Sequence, residues 1–204
     1  MTRYTMTDEN AVKALIRQHP WATLVGTGQD GLVAAHYPVL LDEDSDGIVL
    51  LSHVSRRDAD LFELGAHELL VIFSGPHGYI SPGWYQLPVA VPTWNFAVVH
   101  AYGVPKHLDT TENLNVLERL VDRFEDALPK PFRLNITEAN TAYAQQIVGG
   151  TVGYAMRVDR VVARDKMSQD KPAEVVDRIV AELRSPGPYQ NLELANRVAA
   201  HRGH

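Results

Sequence analysis

The chain has 204 residues, 45% of them hydrophobic and 22% charged, with a formal net charge of −6 and no cysteine. The missing cysteines exclude disulfides, thiolate catalysis and cysteine-ligated metal. The acidic balance argues against broad nucleic-acid affinity, which needs a concentrated basic face.

No apolar run approaches the ~20 residues that span a bilayer, and the start MTRYTMTDEN lacks the charged-then-apolar order of a signal peptide. A cytoplasmic protein with no membrane partner is expected. Thr7 is a good N-cap, with Asp8 and Glu9 in a first turn where the helix dipole favours acids. Val12, Leu15, Ile16 and His19 keep helical spacing, and Pro20 ends that helix. Residues 21–27 read as a strand, Gln29-Asp30-Gly31 as a hairpin turn and 32–41 as the partner strand. An acidic turn at 42–47 leads into a strand at 48–53. A short helix over 59–64 is closed by Gly65. Residues 68–73 form a strand with the continuous apolar core LLVIF. Gly75-Pro76-His77-Gly78 then turns the chain toward 79–81. A long strand follows over 93–107.

These short connections suit an antiparallel barrel better than a parallel βαβ sheet. The chain then becomes helical over 111–127, with Leu114, Leu117, Leu120, Val121 and Phe124 on one face. After a proline-rich break, 137–148 reads as helix, and Gly149-Gly150 releases it into a strand at 151–158. The tail is helical from Pro172, and a Ser185-Pro186-Gly187-Pro188 turn separates two helices, the last over 189–200. There is no internal repeat.

Three constellations can carry chemistry. His53-Val54-Ser55-Arg56-Arg57 leaves a strand and enters a helix. Two guanidiniums and a hydroxyl suit a phosphate monoester, and the same residues also suit a solvated turn. Trp84, Thr93, Trp94 and Asn95 combine apolar ring faces with placed polar groups, as a planar heteroaromatic ligand requires. Both tryptophans equally suit a core role. Lys166-Met167-Ser168-Gln169 is a loop that says little alone. Nine histidines show no paired ligand spacing, so no metal site is expected. No nucleophile elbow, P-loop or dinucleotide fingerprint is present.

Taken together, HPWATLV (from His19), GLVAAHYPVLLD (from Gly31), FSGPHGYISPGWY (from Phe73), VPTWNFAVVHAYG (from Val91), IVGGTVGYAM (from Ile147) and KMSQDK (from Lys166) resemble the PaiB-type family. Its members are FMN-binding split-barrel proteins described as negative transcriptional regulators. The resemblance implies a mainly β fold with helices (α+β): a split β-barrel FMN-binding domain over 1–165, with inserted helices. A C-terminal loop and helical tail over 166–204 would pack on the barrel or on a dimer partner. It further implies a homodimer with FMN at the subunit interface. Ser55, Arg56 and Arg57 are similar to the turn that grips the FMN phosphate, with arginine in place of lysine at the third position. The cofactor-binding candidates are thus His53, Ser55, Arg56, Arg57, Trp84, Thr93, Trp94, Asn95, Lys166 and Gln169. Phe96 stands where a tyrosine is usual, Asp170 where asparagine is common, and 164–166 lacks the usual aromatic.

Two functions follow as expectations. In one, FMN serves redox chemistry with a small-molecule partner, and no residue is assigned as acid or base. His36, Tyr37 and His100 are candidates only through their strands. In the other, the chain is a DNA-binding repressor, reading a groove with Gln190, Asn191, Asn196 and Arg197. Two prolines in the turn, interspersed acids and the negative charge weigh against DNA. Pyridoxamine-phosphate oxidation and haem degradation are alternatives on the same fold, which alone assigns no reaction.

Overall fold

The computed structural model describes residues 3–202. Among these, helix α1 (Glu9–Gln18) is capped by Asp8, whose Oδ1 accepts the Asn10 N–H at 3.0 Å, one residue later than the Thr7 cap expected. Val12, Leu15 and Ile16 form its buried stripe. Strands β1 (Trp21–Gly28) and β2 (Gly31–Pro38) make the expected hairpin, closed by the Gly28–Gly31 pair. Gly31 sits at φ +111°, a conformation open to glycine.

The expected strand over 32–41 is broken. Pro38 lacks an N–H to extend the ladder, and β3 (Leu40–Leu41) pairs instead with β4 (Val49–Ser55). Helix α2 (Arg56–Leu61) starts three residues before the expected helix, because Ser55 Oγ accepts the Asp58 N–H and nucleates the turn.

Strand β5 (Leu69–Ile80) runs straight through the Gly-Pro-His-Gly stretch expected to turn. Gly75 serves close packing there: a Cβ would stand 2.7 Å from Leu15 Cδ1. A short 3₁₀ helix (Pro82–Tyr85) leads toward β6 (Thr93–Gly103). Pro105 then interrupts the long strand expected to 107, and β7 (Lys106–His107) joins the other sheet.

Helix α3 (Thr110–Glu125) carries a full capping box between Asp109 and Glu112. Its buried stripe is Asn113, Val116 and Leu120, rotated from the leucine face expected, and Phe124 is 49% exposed. Asn113 turns that stripe inward by donating to Thr151 Oγ1 at 3.0 Å, while Val116 and Leu120 pack on Leu40 and Leu51. Thr137 caps α4 (Glu138–Ile147), followed by β8 (Thr151–Arg157). An unforeseen strand, β9 (Arg160–Lys166), comes next. Helices α5 (Ala173–Arg184) and α6 (Leu192–Ala200) end the described chain.

The sheets are ordered β2-β1-β5-β6-β9 and β3-β4-β8-β7, and the pairings of β1 with β2 and β5, and of β8 with β4 and β7, are antiparallel. The chain divides into two compact units. The first comprises Met1–Leu15, Ser74–Val99 and Val162–His204; the second comprises Ile16–Phe73 and His100–Val161. Among the described residues, no helix is long and apolar enough to cross a membrane.

Two glycines give contrasting expectations. A Cβ on Gly103 would lie 2.3 Å from the Arg157 carbonyl oxygen, whereas one on Gly149 meets nothing within 4 Å. Gly103→Ala should cost about 1–3 kcal/mol and lower the thermal unfolding midpoint, with Gly149→Ala close to wild type. Equal midpoints would contradict this packing.

Candidate functional site

The second unit holds His53, Ser55, Arg56 and Arg57 at the end of β4 and the start of α2. The pairing of β4 with β8 runs to Ser55–Thr151, which fixes where the strand ends. The Ser55 N–H donates to Tyr37 Oη at 3.0 Å, and Tyr37 Oη donates in turn to the Asp58 carboxylate. Ser55 Oγ accepts the Asp58 N–H at 3.0 Å, so its own hydroxyl proton is left to give. Arg56 Nε donates to the Gly149 carbonyl at 2.8 Å, which orients its guanidinium without neutralising it. Arg57 is exposed and has no side-chain hydrogen bond among the described residues.

The His53 ring meets Tyr37 edge-on, with centroids 5.9 Å apart. Burial lowers the His53 pKa, keeping the imidazole neutral, and its Nδ1 is buried without a partner. A cavity of about 230 Å³ adjoins the turn, lined by Arg56, Asp60, Asp109, Asn113 and Gly149 among others. Two guanidiniums, one of them unpaired, and an available hydroxyl proton fit a phosphate monoester. Asp60 opposes an anion within the cavity. The Asp58 carboxylate is already occupied by Tyr37. Sequence reading missed Asp58 and Gly149 as the groups that set this turn. The Tyr37–Asp58 and Arg56–Gly149 bonds span 21 and 93 positions, and no local signal marks them.

The first unit holds the other six candidates, in two groups. Successive strand residues face opposite sides, so Asn95 is fully buried while Trp94 is 54% exposed. On the Asn95 side, Lys166 Nζ donates to Thr93 Oγ1. Ser168 Oγ lies 2.9 Å from Asn95 Nδ2 and 3.1 Å from its Oδ1. Ser168 is held at φ +60°, a strained conformation for a serine, and this contact pins it there. Gln169 spans its own loop, accepting the Met167 N–H and donating to the Asp165 carbonyl, both at 2.6 Å. Asn95 and Gln169 therefore position the loop. Thr93 keeps a hydroxyl proton and Lys166 keeps two N–H groups for a polar ligand edge.

On the other side, the Trp94, Tyr79, Tyr189 and Trp84 rings follow one another at centroid distances of 6.3, 5.6 and 6.0 Å. The four groove-reading candidates of the tail are engaged inside this unit. Asn191 caps α6 and donates to the His77 carbonyl. Gln190 donates to the Arg184 carbonyl, and Asn196 accepts from Arg184. Arg197 makes a bidentate pair with Asp165 at 3.0 and 2.7 Å.

A family model described as "Putative FMN-binding domain" matches residues 1–160. The chain belongs to this FMN-binding family. Membership assigns FMN as its cofactor, as the resemblance implied. A relative, the protease synthase and sporulation protein PAI 2 of Bacillus subtilis, is 26% identical over 94% of this chain and 93% of its own. Among solved structures, the FAD and haem binding protein of Mycobacterium smegmatis matches with a TM-score of 0.60 at 15% identity, over 86% of this chain and 80% of that one. The flavocytochrome Anf3 of Azotobacter vinelandii matches with a TM-score of 0.58 at 15% identity, over 81% and 72%. At such identities the likeness concerns the fold, and the fold is the expected α+β split barrel of the flavin-binding type.

Arg197 and His201 together clamp Asp165 beside the Lys166 loop. His201 Nδ1 faces the Arg197 carbonyl at 2.9 Å and Nε2 faces the Asp165 carboxylate at 3.0 Å, so both ring nitrogens donate and the cation is favoured. The hydrogen bond to Asp165 raises the His201 pKa, with burial opposing. Burial would raise the Asp165 carboxyl, but the hydrogen bonds from His201 and Arg197 outweigh it and hold it below the ordinary range. A raised histidine stabilises fully below its unfolded value of about 6.5 and loses that contribution as pH rises through its folded value. A depressed carboxyl stabilises above its unfolded value and loses that contribution as pH falls through the folded one. His201→Gln should therefore lower the unfolding midpoint more at pH 6 than at pH 9. An equal loss at both pH values would contradict the clamp.

Proposed function

We propose that the protein is a flavoprotein whose FMN serves redox chemistry, working as a homodimer with FMN at the subunit interface. The observation that carries the reading is the Ser55-Arg56-Arg57 turn. One guanidinium there is oriented by a backbone carbonyl and the other is unpaired, beside a hydroxyl with a proton to donate. Such a turn is built for a dianion. When bound, FMN would supply hydride or electron transfer, and the protein would supply position and electrostatics.

This chain's residues have separable tasks. Arg57 binds the phosphate by charge, and Arg56 by an orientation that Gly149 holds. Ser55 donates to a phosphate oxygen while its lone pair caps α2. Tyr37 and Asp58 keep the turn in place. Thr93 and Lys166, which keep donors after their mutual hydrogen bond, are candidates for polar ligand edges. A regulatory role, as in the description of the PaiB-type family, would then act through the state of the flavin. The groups offered for direct groove reading are occupied within the first unit.

The purified protein should be yellow, with a flavin spectrum that bleaches on anaerobic addition of NADH or NADPH. Charged hydrogen bonds contribute about 1.5–3 kcal/mol each. Arg57→Ala should accordingly weaken FMN binding by roughly 10- to 100-fold, with Arg57→Lys intermediate. A colourless protein that FMN does not stabilise would remove the reading.

A further inference from the structure

We propose that the first unit carries a binding site for a neutral, planar aromatic molecule bearing a hydroxyl or a ring N–H. The site is the cleft walled by Tyr79, Trp94 and Tyr189, with His77, Leu183 and Gln190 at its margins. Its lining shares no residue with the cavity beside the Ser55-Arg56-Arg57 turn, which belongs to the second unit.

Size and lining are the first grounds. The cavity is about 530 Å³, within the roughly 300–1,000 Å³ typical of small-molecule sites. Its lining contains no aspartate, glutamate, lysine or arginine. A charged ligand would lose hydration there with no counter-charge to replace it. Trp94 and Tyr189 are 54% and 51% exposed. They present large ring faces to an incoming ring at stacking or edge-to-face geometry.

The walls are set before any ligand arrives. Asn191 Oδ1 accepts the Leu194 N–H at 3.0 Å, and its Nδ2 donates to the His77 carbonyl at 3.2 Å, which ties the start of α6 to β5. Gly78 brings that strand against α6, since a Cβ there would stand 2.9 Å from Leu194 Cδ2. Tyr79 contacts both Trp94 and Tyr189, so the rings brace one another. A preformed site loses less entropy on binding.

Beside the donors of the Tyr79 and Tyr189 hydroxyls and the Trp94 indole, the margin of the cleft offers two acceptors. His77 Nδ1 is 3.1 Å from the Gly75 carbonyl. A carbonyl only accepts, so Nδ1 carries the proton, and Nε2 of the neutral ring is left with a lone pair. Gln190 gives one Nε2 proton to the Arg184 carbonyl at 3.2 Å, which orients the amide and leaves Oε1 as a second acceptor. A hydroxyl or ring N–H on the ligand therefore finds an acceptor at the His77 and Gln190 margin of the cleft.

The test is calorimetric titration of the full-length, FMN-loaded protein with 2-naphthol, 2-methoxynaphthalene and naphthalene-2-sulfonate. The expected result is saturable binding of one naphthol per chain in the micromolar range. The methyl ether and the sulfonate should bind at least tenfold more weakly. Tyr189→Ala should weaken naphthol binding tenfold or more, and His77→Ala should erase the preference over the methyl ether. Both variants should keep the flavin absorbance of the parent, a readout that separates this site from failure of the flavin reading. Four results would overturn the proposal: no saturation below millimolar, equal affinity for all three probes, displacement of naphthol by riboflavin from apoprotein, or loss of binding on self-association.

Discussion

The hydrogen bond from the Asp58 N–H to Ser55 Oγ decides where a strand becomes a helix, and the Ser55-Arg56-Arg57 turn depends on it. Without that cap, α2 has no reason to start at Arg56. Its first two residues would then be an extension of β4, with side chains on opposite faces. The cap is itself held from the side by Tyr37, which accepts from the Ser55 backbone and donates to the Asp58 carboxylate. One tyrosine thus fixes a backbone N–H and removes an acid from competition for the arginines. The two cations are left with different degrees of freedom. Arg56 is aimed by Gly149, and Arg57 can close on a ligand.

A second constraint of the same kind governs the loop after β9. Asn95 is fully buried near the start of an apolar strand, a costly place for an amide unless it is hydrogen-bonded. Its partner is Ser168, whose left-handed backbone is strained for a serine. The amide and the strained residue hold each other. Gln169 and the Asp165–Arg197–His201 clamp tighten the residues on either side. Lys166 therefore reaches Thr93 from a loop with little freedom to move. Polar residues placed where the fold would prefer apolar ones are here spent on positioning.

Much of this was legible in the chain, and the failures have physical causes. The hairpin at Gln29-Asp30-Gly31, the helical tail and the strand-to-helix passage at Ser55 follow from turn chemistry and caps. Strand β9 escaped because Asp165 occupies one of its buried positions, breaking the alternation that marks a strand. The Gly-Pro-His-Gly stretch has turn composition, yet Gly75 and Gly78 serve close approach to Leu15 and Leu194. The separation of Trp94 from Asn95 was available from strand period alone, since neighbours on a strand cannot share a face. The Tyr37–Asp58 and Arg56–Gly149 bonds join residues 21 and 93 positions apart. Nothing in a single sequence marks such pairs.

The central claim is that the Ser55-Arg56-Arg57 turn recognises the phosphate of FMN, and riboflavin is the ligand that lacks only that group. Titrating apoprotein with both flavins at the same ionic strength isolates the phosphate contribution. With two charged hydrogen-bond partners at the turn, FMN should bind at least about 100-fold more tightly than riboflavin. Arg56→Ala combined with Arg57→Ala should bring the two affinities together. Equal affinity of the native protein for FMN and riboflavin would contradict the claim.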